Sequence, residues 1–193
     1  MTPSQDKIRA ALSWDGVNAA YWYRLASAKI RALNDDPLAM AQTAQDRNAV
    51  RRQINRLLEQ AVALNPFHSA AHIAQGGVIV DRLRDEGWQD ADGWHAADLA
   101  FDRAVYFGGP LVPERHRQLG YYWLVRALGQ AAGASGRWQG WQRASWHYRQ
   151  ALAHTPSHSR KALLGRIEAD LSRATGDGQI AKKVVAELLA QGD

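Results

Sequence analysis

The 193-residue chain contains no cysteine. Disulfides, thiolate nucleophiles and cysteine-ligated zinc are thereby excluded, while the compartment stays open, because cytosolic and periplasmic proteins both occur without cysteine. No stretch approaches the roughly 18 consecutive apolar residues of a membrane span, so no transmembrane segment is expected. The first twenty residues carry Asp6, Lys7, Arg9 and Asp15 and hold no apolar run of signal type. None of the phosphate-loop, dinucleotide, nucleophile-elbow or zinc-protease patterns occurs, and Gly133-Ala134-Ser135-Gly136 lacks the lysine that a phosphate loop would need. The acidic pairs Asp35-Asp36 and Asp85-Glu86 fall in expected turns, where solvated carboxylates are ordinary. The chain therefore reads as a non-enzyme without a cofactor, soluble and cytoplasmic as it stands. β-Branched residues are sparse between turns rich in glycine and proline, which favours helices.

What is present is apolar and aromatic. Hydrophobic residues make up 46% of the chain and tryptophan fills eight positions, a composition that orders and buries a core. The formal net charge is +5, with a pI near 9.7. That supports an anionic partner without requiring one.

A spacing recurs. Ile54, Leu58, Ala61 and Pro66 follow at steps of four, three and five, and Ala144, Tyr148, Ala151 and Pro156 repeat those steps. Ala97, Phe101 and Ala104 repeat the first two, with Pro110 one residue late. Steps of three and four return to one helical face, and each proline stops its helix. A second helix follows each proline, with Gly76 ten residues beyond Pro66 and Gly120 ten beyond Pro110. A glycine inside a helix costs about 1 kcal/mol relative to alanine, so its recurrence predicts close helix contact. The expected fold is all-α, an array in which each unit buries its apolar face against its neighbours.

Trp22, Leu25 and Ala26, then Leu119, Gly120 and Trp123, with Gly76 between, resemble the first-helix motif of the tetratricopeptide repeat. Trp94 and Trp141, each three residues before its alanine, match the aromatic that opens the family's second helix. The resemblance implies a right-handed superhelix of antiparallel helix pairs: a half-repeat or cap at 1–18, then repeats at 19–66, 67–110, 111–156 and 157–193, the last with the C-terminal cap. The family period is about 34 residues. The longer spacing here places extended turns around Asn34–Asp46, Asp85–Gly93 and Gln130–Gly140. The compact last repeat has helices over Ser159–Arg173 and Ile180–Ala190 about a Gly176–Gly178 turn. Because Ile8 and Ala11 keep phase with a second helix, the chain is expected to open halfway through a repeat, as a natural cap or as a fragment of a longer protein.

The resemblance also implies a protein or peptide partner, held in a groove at Tyr23, Ser27, Arg31, Gly77, Asp81, Arg117, Tyr121, Arg160 and Leu163. The Tyr21–Ala26 opening and the long turns further resemble the tetratricopeptide tails of O-antigen ligase and polymerase-type membrane proteins. That implies an extracytoplasmic tail in a bacterial envelope polysaccharide system. The competing reading is a basic helical-repeat module for nucleic acid or another polyanion. Arg47, Arg51, Arg52 and Arg56 form a stripe suited to phosphate or carboxylate, or else the solvated face opposite Ile54, Leu58 and Ala61, which is the simpler reading. Trp94 and Trp141 are expected to pack, leaving Trp88 and Trp138 as candidate anchors for a partner or a sugar ring. His68 and His72 have metal-ligand spacing, as would His154 and His158 if Pro156 did not interrupt them, but no carboxylate recurs at matching spacing, so core histidines are expected at His72 and His116 and no metal site.

Overall fold

The structure, a computed structural model, describes residues 5–35, 43–88, 90–108, 112–129 and 135–190. The expected stop at Pro110 lies outside them, as do residues 36–42 and 130–134 of two expected turns. Nine helices and no strand occur among the described residues: α1 Gln5–Trp14, α2 Ala19–Asp35, α3 Ala44–Leu64, α4 Ser69–Asp85, α5 Ala91–Gly108, α6 Pro113–Leu128, α7 Ser135–Ala153, α8 Ser157–Thr175 and α9 Gly178–Ala190. The chain is all-α.

Local chemistry sets the helix ends. Thr43 Oγ1 accepts the Asp46 N–H at 3.2 Å to cap α3, and His68 Nδ1 accepts the Ala71 N–H at 3.2 Å to cap α4. Pro113 opens α6 at a position where no amide donor is needed. Helix α8 closes on Gly176, whose φ of 71° suits a residue without a side chain, and Asp177 Oδ1 then accepts from Gln179 N–H at 2.7 Å to start α9. Several expected boundaries shift. Helix α7 begins at Ser135, so 136–140 is helical rather than turn, α8 runs from Ser157 to Thr175 instead of Ser159 to Arg173, and α9 begins at Gly178 instead of Ile180.

The helices divide into two compact units, Met1–Gly108 and Gly109–Asp193. In the first, α2 packs on α3, α3 on α4 and α4 on α5; in the second, α6 packs on α7, α6 on α8 and α8 on α9. His72 at the start of α4 meets Phe107 at the end of α5, while Gly93 near the start of α5 lies against Leu83 near the end of α4, so that pair is antiparallel. The same test makes α6 and α7 antiparallel, since His116 meets His154 and Gly140 meets Ala127.

The nine residues that precede the prolines in the recurring spacing are all buried, from Ile54, Leu58 and Ala61 through Ala97, Phe101 and Ala104 to Ala144, Tyr148 and Ala151. The two recurring glycines explain how. A Cβ on Gly76 would lie 2.4 Å from Phe101 Cε2, and one on Gly120 would lie 2.7 Å from Tyr148 Cδ1. Each glycine thus opens a seat for the aromatic ring of the partner helix. Gly76→Ala gains about 1 kcal/mol of helix propensity, but overpacking against a buried ring costs about 1–3 kcal/mol. A net loss near 1 kcal/mol is expected in urea denaturation; an unchanged or higher midpoint would show that the Phe101 ring yields.

Candidate functional site

In the second unit, the buried stripe of α7 runs through Ala144, Tyr148 and Ala151. Helical geometry then places Trp138, Gln142, Ser145 and Arg149, at steps of four, three and four, along a different face. Together with Trp141 and Trp146, and with Val184 and Glu187 of α9, they line a cavity of about 540 Å³. Trp138 is 67% exposed and Trp146 51%. Trp141 packs against the unit's apolar core, as expected. The Arg149 guanidinium donates to Ser145 Oγ at 2.9 Å, fixing a cation at the cavity wall. Rigid indole faces beside a few polar groups supply large contact area at low entropic cost, which suits a docked side chain or ring.

Trp146 was not among the sequence-derived candidates. It stands edge-on to His147 at 4.8 Å and to His116 at 5.6 Å between ring centroids. His116 and His147 are both buried, with their Nδ1 atoms 3.0 Å apart, so one nitrogen donates and the other accepts. Burial first, then the neighbouring His116 and Arg143 charges, push the His147 imidazole down to about 4. His147 therefore sits in the fold uncharged at neutral pH.

The groove residues inferred from the family resemblance fare unevenly. In the first unit Tyr23 is half-buried with its ring 4.7 Å from that of His68, Ser27 is half-buried, Arg31 is exposed and Gly77 has open space where a side chain would be. Asp81 is paired with Arg84 at 2.6 Å. In the second unit Tyr121 is half-buried and Arg160 donates to the Thr155 carbonyl at 3.2 Å. Two positions need correction. Leu163 is 1% exposed and belongs to the core. Arg117 is spent within the fold: it is hydrogen-bonded to Asp170 and donates to Glu114 at 2.6 Å. Burial works against the Arg117 charge, yet the two carboxylates raise its affinity for the proton above the ordinary value. Burial likewise raises the Asp170 carboxyl, and Arg117 draws it only part of the way back.

Trp88 is also corrected. Its φ of 70° is rare for a bulky residue and is held by its N–H donating to the Leu83 carbonyl at 2.8 Å. Its ring stacks on Trp94 at 5.4 Å, and Trp94 Nε1–H donates to the Trp88 carbonyl at 3.1 Å. The pair closes the α4–α5 turn instead of leaving Trp88 free. Trp138 is the open indole of the two.

The arginine stripe divides. Arg47 and Arg51 converge on Asp85 at 3.0 and 2.6 Å, and Arg51 is buried. Partial burial works against the Asp85 charge, but hydrogen bonds from Arg51 and Arg47 outweigh it and hold the carboxyl below its ordinary value. Arg52 and Arg56 are exposed. They line a second cavity of about 340 Å³ between α3, α4 and α5.

His72 and His116 are buried, His72 with Nε2 2.8 Å from the Pro66 carbonyl oxygen. Among the described residues no three His, Asp or Glu side chains are placed to share a metal ion. No helix among them is long and apolar enough to cross a membrane.

No family model, curated protein or solved structure matches the chain. Its functional reading rests on the geometry above and on the residue pattern.

Proposed function

We propose that the chain is a non-enzymatic scaffold of the tetratricopeptide type that captures a protein or peptide partner, with the tryptophan cavity between α7 and α9 as its anchor. The observation that carries this is Trp138 and Trp146 exposed on either side of a concave wall, in a helix whose opposite stripe is fully committed to the core. Large exposed indoles gathered in a concavity are the composition of a binding hot spot. The repeat reading, with units at 19–66, 67–110, 111–156 and 157–193 stacked as a superhelix, is supported by the shared glycine seat at Gly76 and Gly120. The same reading places the scaffold in an envelope polysaccharide system, as the tail of a membrane protein. Hydrophobic spans encoded upstream of Met1 in the parent reading frame would agree with that placement, and a stop codon there would reject it.

Trp138→Ala is expected to lower the affinity of a captured partner at least about tenfold while leaving helix content unchanged, because the side chain is mostly in solvent. The measurement is immobilised-chain capture with partners identified by mass spectrometry, then titration of the purified partner against both forms. Equal affinity of the two forms would remove Trp138 from the interface.

A further inference from the structure

The second cavity is walled by four arginines whose charges are not equivalent. Arg51 is satisfied by Asp85 at 2.6 Å and by Asn48 at 2.8 Å. Arg82 is satisfied by Asp90 at 2.7 Å and by Glu86 at 3.7 Å. Arg52 and Arg56 have no ion-pair or hydrogen-bond partner among the described residues. They stand four residues apart on α3, so two like charges face the same space and repel one another. A fold that ion-pairs Arg51 and Arg82 and leaves two exposed guanidinium groups unmatched along the same cavity is complementary to an anion.

We infer that this cavity binds an acidic peptide segment, with Arg52 and Arg56 taking its carboxylates and Val78, Ile79 and Ala96 receiving the apolar side chains between them. The inference deepens the scaffold reading and rests on it. Guanidinium groups pair with carboxylates through two parallel N–H bonds, which gives direction as well as attraction. The floor is aliphatic, with no aromatic ring among the lining residues on which a base would stack. Glu59, at the same wall, accepts from Asn55 Nδ2 at 2.7 Å, so it offsets part of the Arg52 and Arg56 charge and can accept a peptide N–H. Two free cations in a concavity of about 340 Å³ also fall short of the row of phosphate contacts on which nucleic-acid affinity depends. A peptide carrying two acidic side chains and an apolar residue between them fits both size and charge.

The test uses the full chain, labelled at arginine Nε for NMR, titrated with a hexapeptide alternating glutamate and leucine. The expected result is a saturable shift of the Arg52 and Arg56 resonances, with affinity falling at least about tenfold in the Arg52→Gln, Arg56→Gln double variant. Arg9→Gln, at an exposed arginine of α1, should bind as the parent does. Circular dichroism of the double variant should match the parent, since neither side chain contributes an internal pair. The inference is overturned if millimolar peptide shifts neither resonance, if a glutamine–leucine peptide binds equally, or if an oligothymidylate binds more tightly than the acidic peptide. Failure of the scaffold reading has a different signature: the immobilised parent chain captures no protein or peptide partner, whatever the acidic peptide does at Arg52 and Arg56.

Discussion

Tyr148→Ala should cost the second unit about 3–5 kcal/mol, the usual range for deleting a buried aromatic ring. The ring is 1% exposed, is seated over Gly120, and joins a core with Leu124, Leu163, Ile167 and Leu171. Whole domains are stable by only about 5–15 kcal/mol, so the loss is a large part of what the unit has. Tyr148→Phe separates the ring from its hydroxyl. The Tyr148 hydroxyl is buried without a hydrogen-bond partner among the described residues, so phenylalanine should be equal to tyrosine or better. Urea denaturation of the three forms decides the matter. A loss below about 1 kcal/mol for Tyr148→Ala would mean that the helices close over the gap instead of leaving a cavity.

The second large effect is a dependence on pH between about 6.5 and 4. His147 has its ordinary value of 6.5 in the unfolded chain and about 4 in the fold, where burial, His116 and Arg143 oppose its charge. In that window the unfolded chain binds the proton more strongly, so stability rises with pH. The contribution is fully present above 6.5 and is lost as pH falls through the window to about 4, amounting to about 3 kcal/mol. Asp170 has the opposite sign: its carboxyl is raised above 3.8, so its contribution is present at low pH and fades as pH rises through the folded value. The His147 effect is therefore best read as a difference between parent and His147→Gln. The parent should lose stability on acidification across the window and the variant should lose much less. Parallel curves would show that His147 is not the group being titrated.

Helix positions and core faces were legible because they follow from periodicity within a single segment. Ala97, Phe101 and Ala104 announce a buried stripe by their spacing, and the Gly176–Gly178 turn announces its own break. The glycine seats were legible too, since a helical glycine demands a reason and both occupy one register. What escaped was long-range pairing. Arg51 finds Asp85 across 34 residues and Arg117 finds Asp170 across 53, and no local pattern shows which cation is spent inside the fold. Leu163 was misplaced because helical spacing says which residues share a face but not which face a neighbouring helix covers. Trp88 was misjudged because its backbone bond to Leu83 and its stacking on Trp94, not its own preference, set its place. Trp146 and His147 escaped for a related reason: adjacent residues point to different sides of α7, one into the cavity wall and one into the core.

The glycine seats bear on how experiments with this protein can be arranged. At Gly76 and Gly120 the paired helices meet by shape, a ring received in a notch, while ion pairs such as Arg82–Asp90 act elsewhere. Dissolved ions act over a Debye length of about 10 Å at 0.1 M and weaken exposed charges, but they leave such a fastening untouched. Ionic strength should therefore weaken occupancy at the exposed Arg52 and Arg56 before it loosens the partly buried Arg51–Asp85 pair that joins α3 to α4. One folded sample, dialysed through a salt series, can be emptied and refilled.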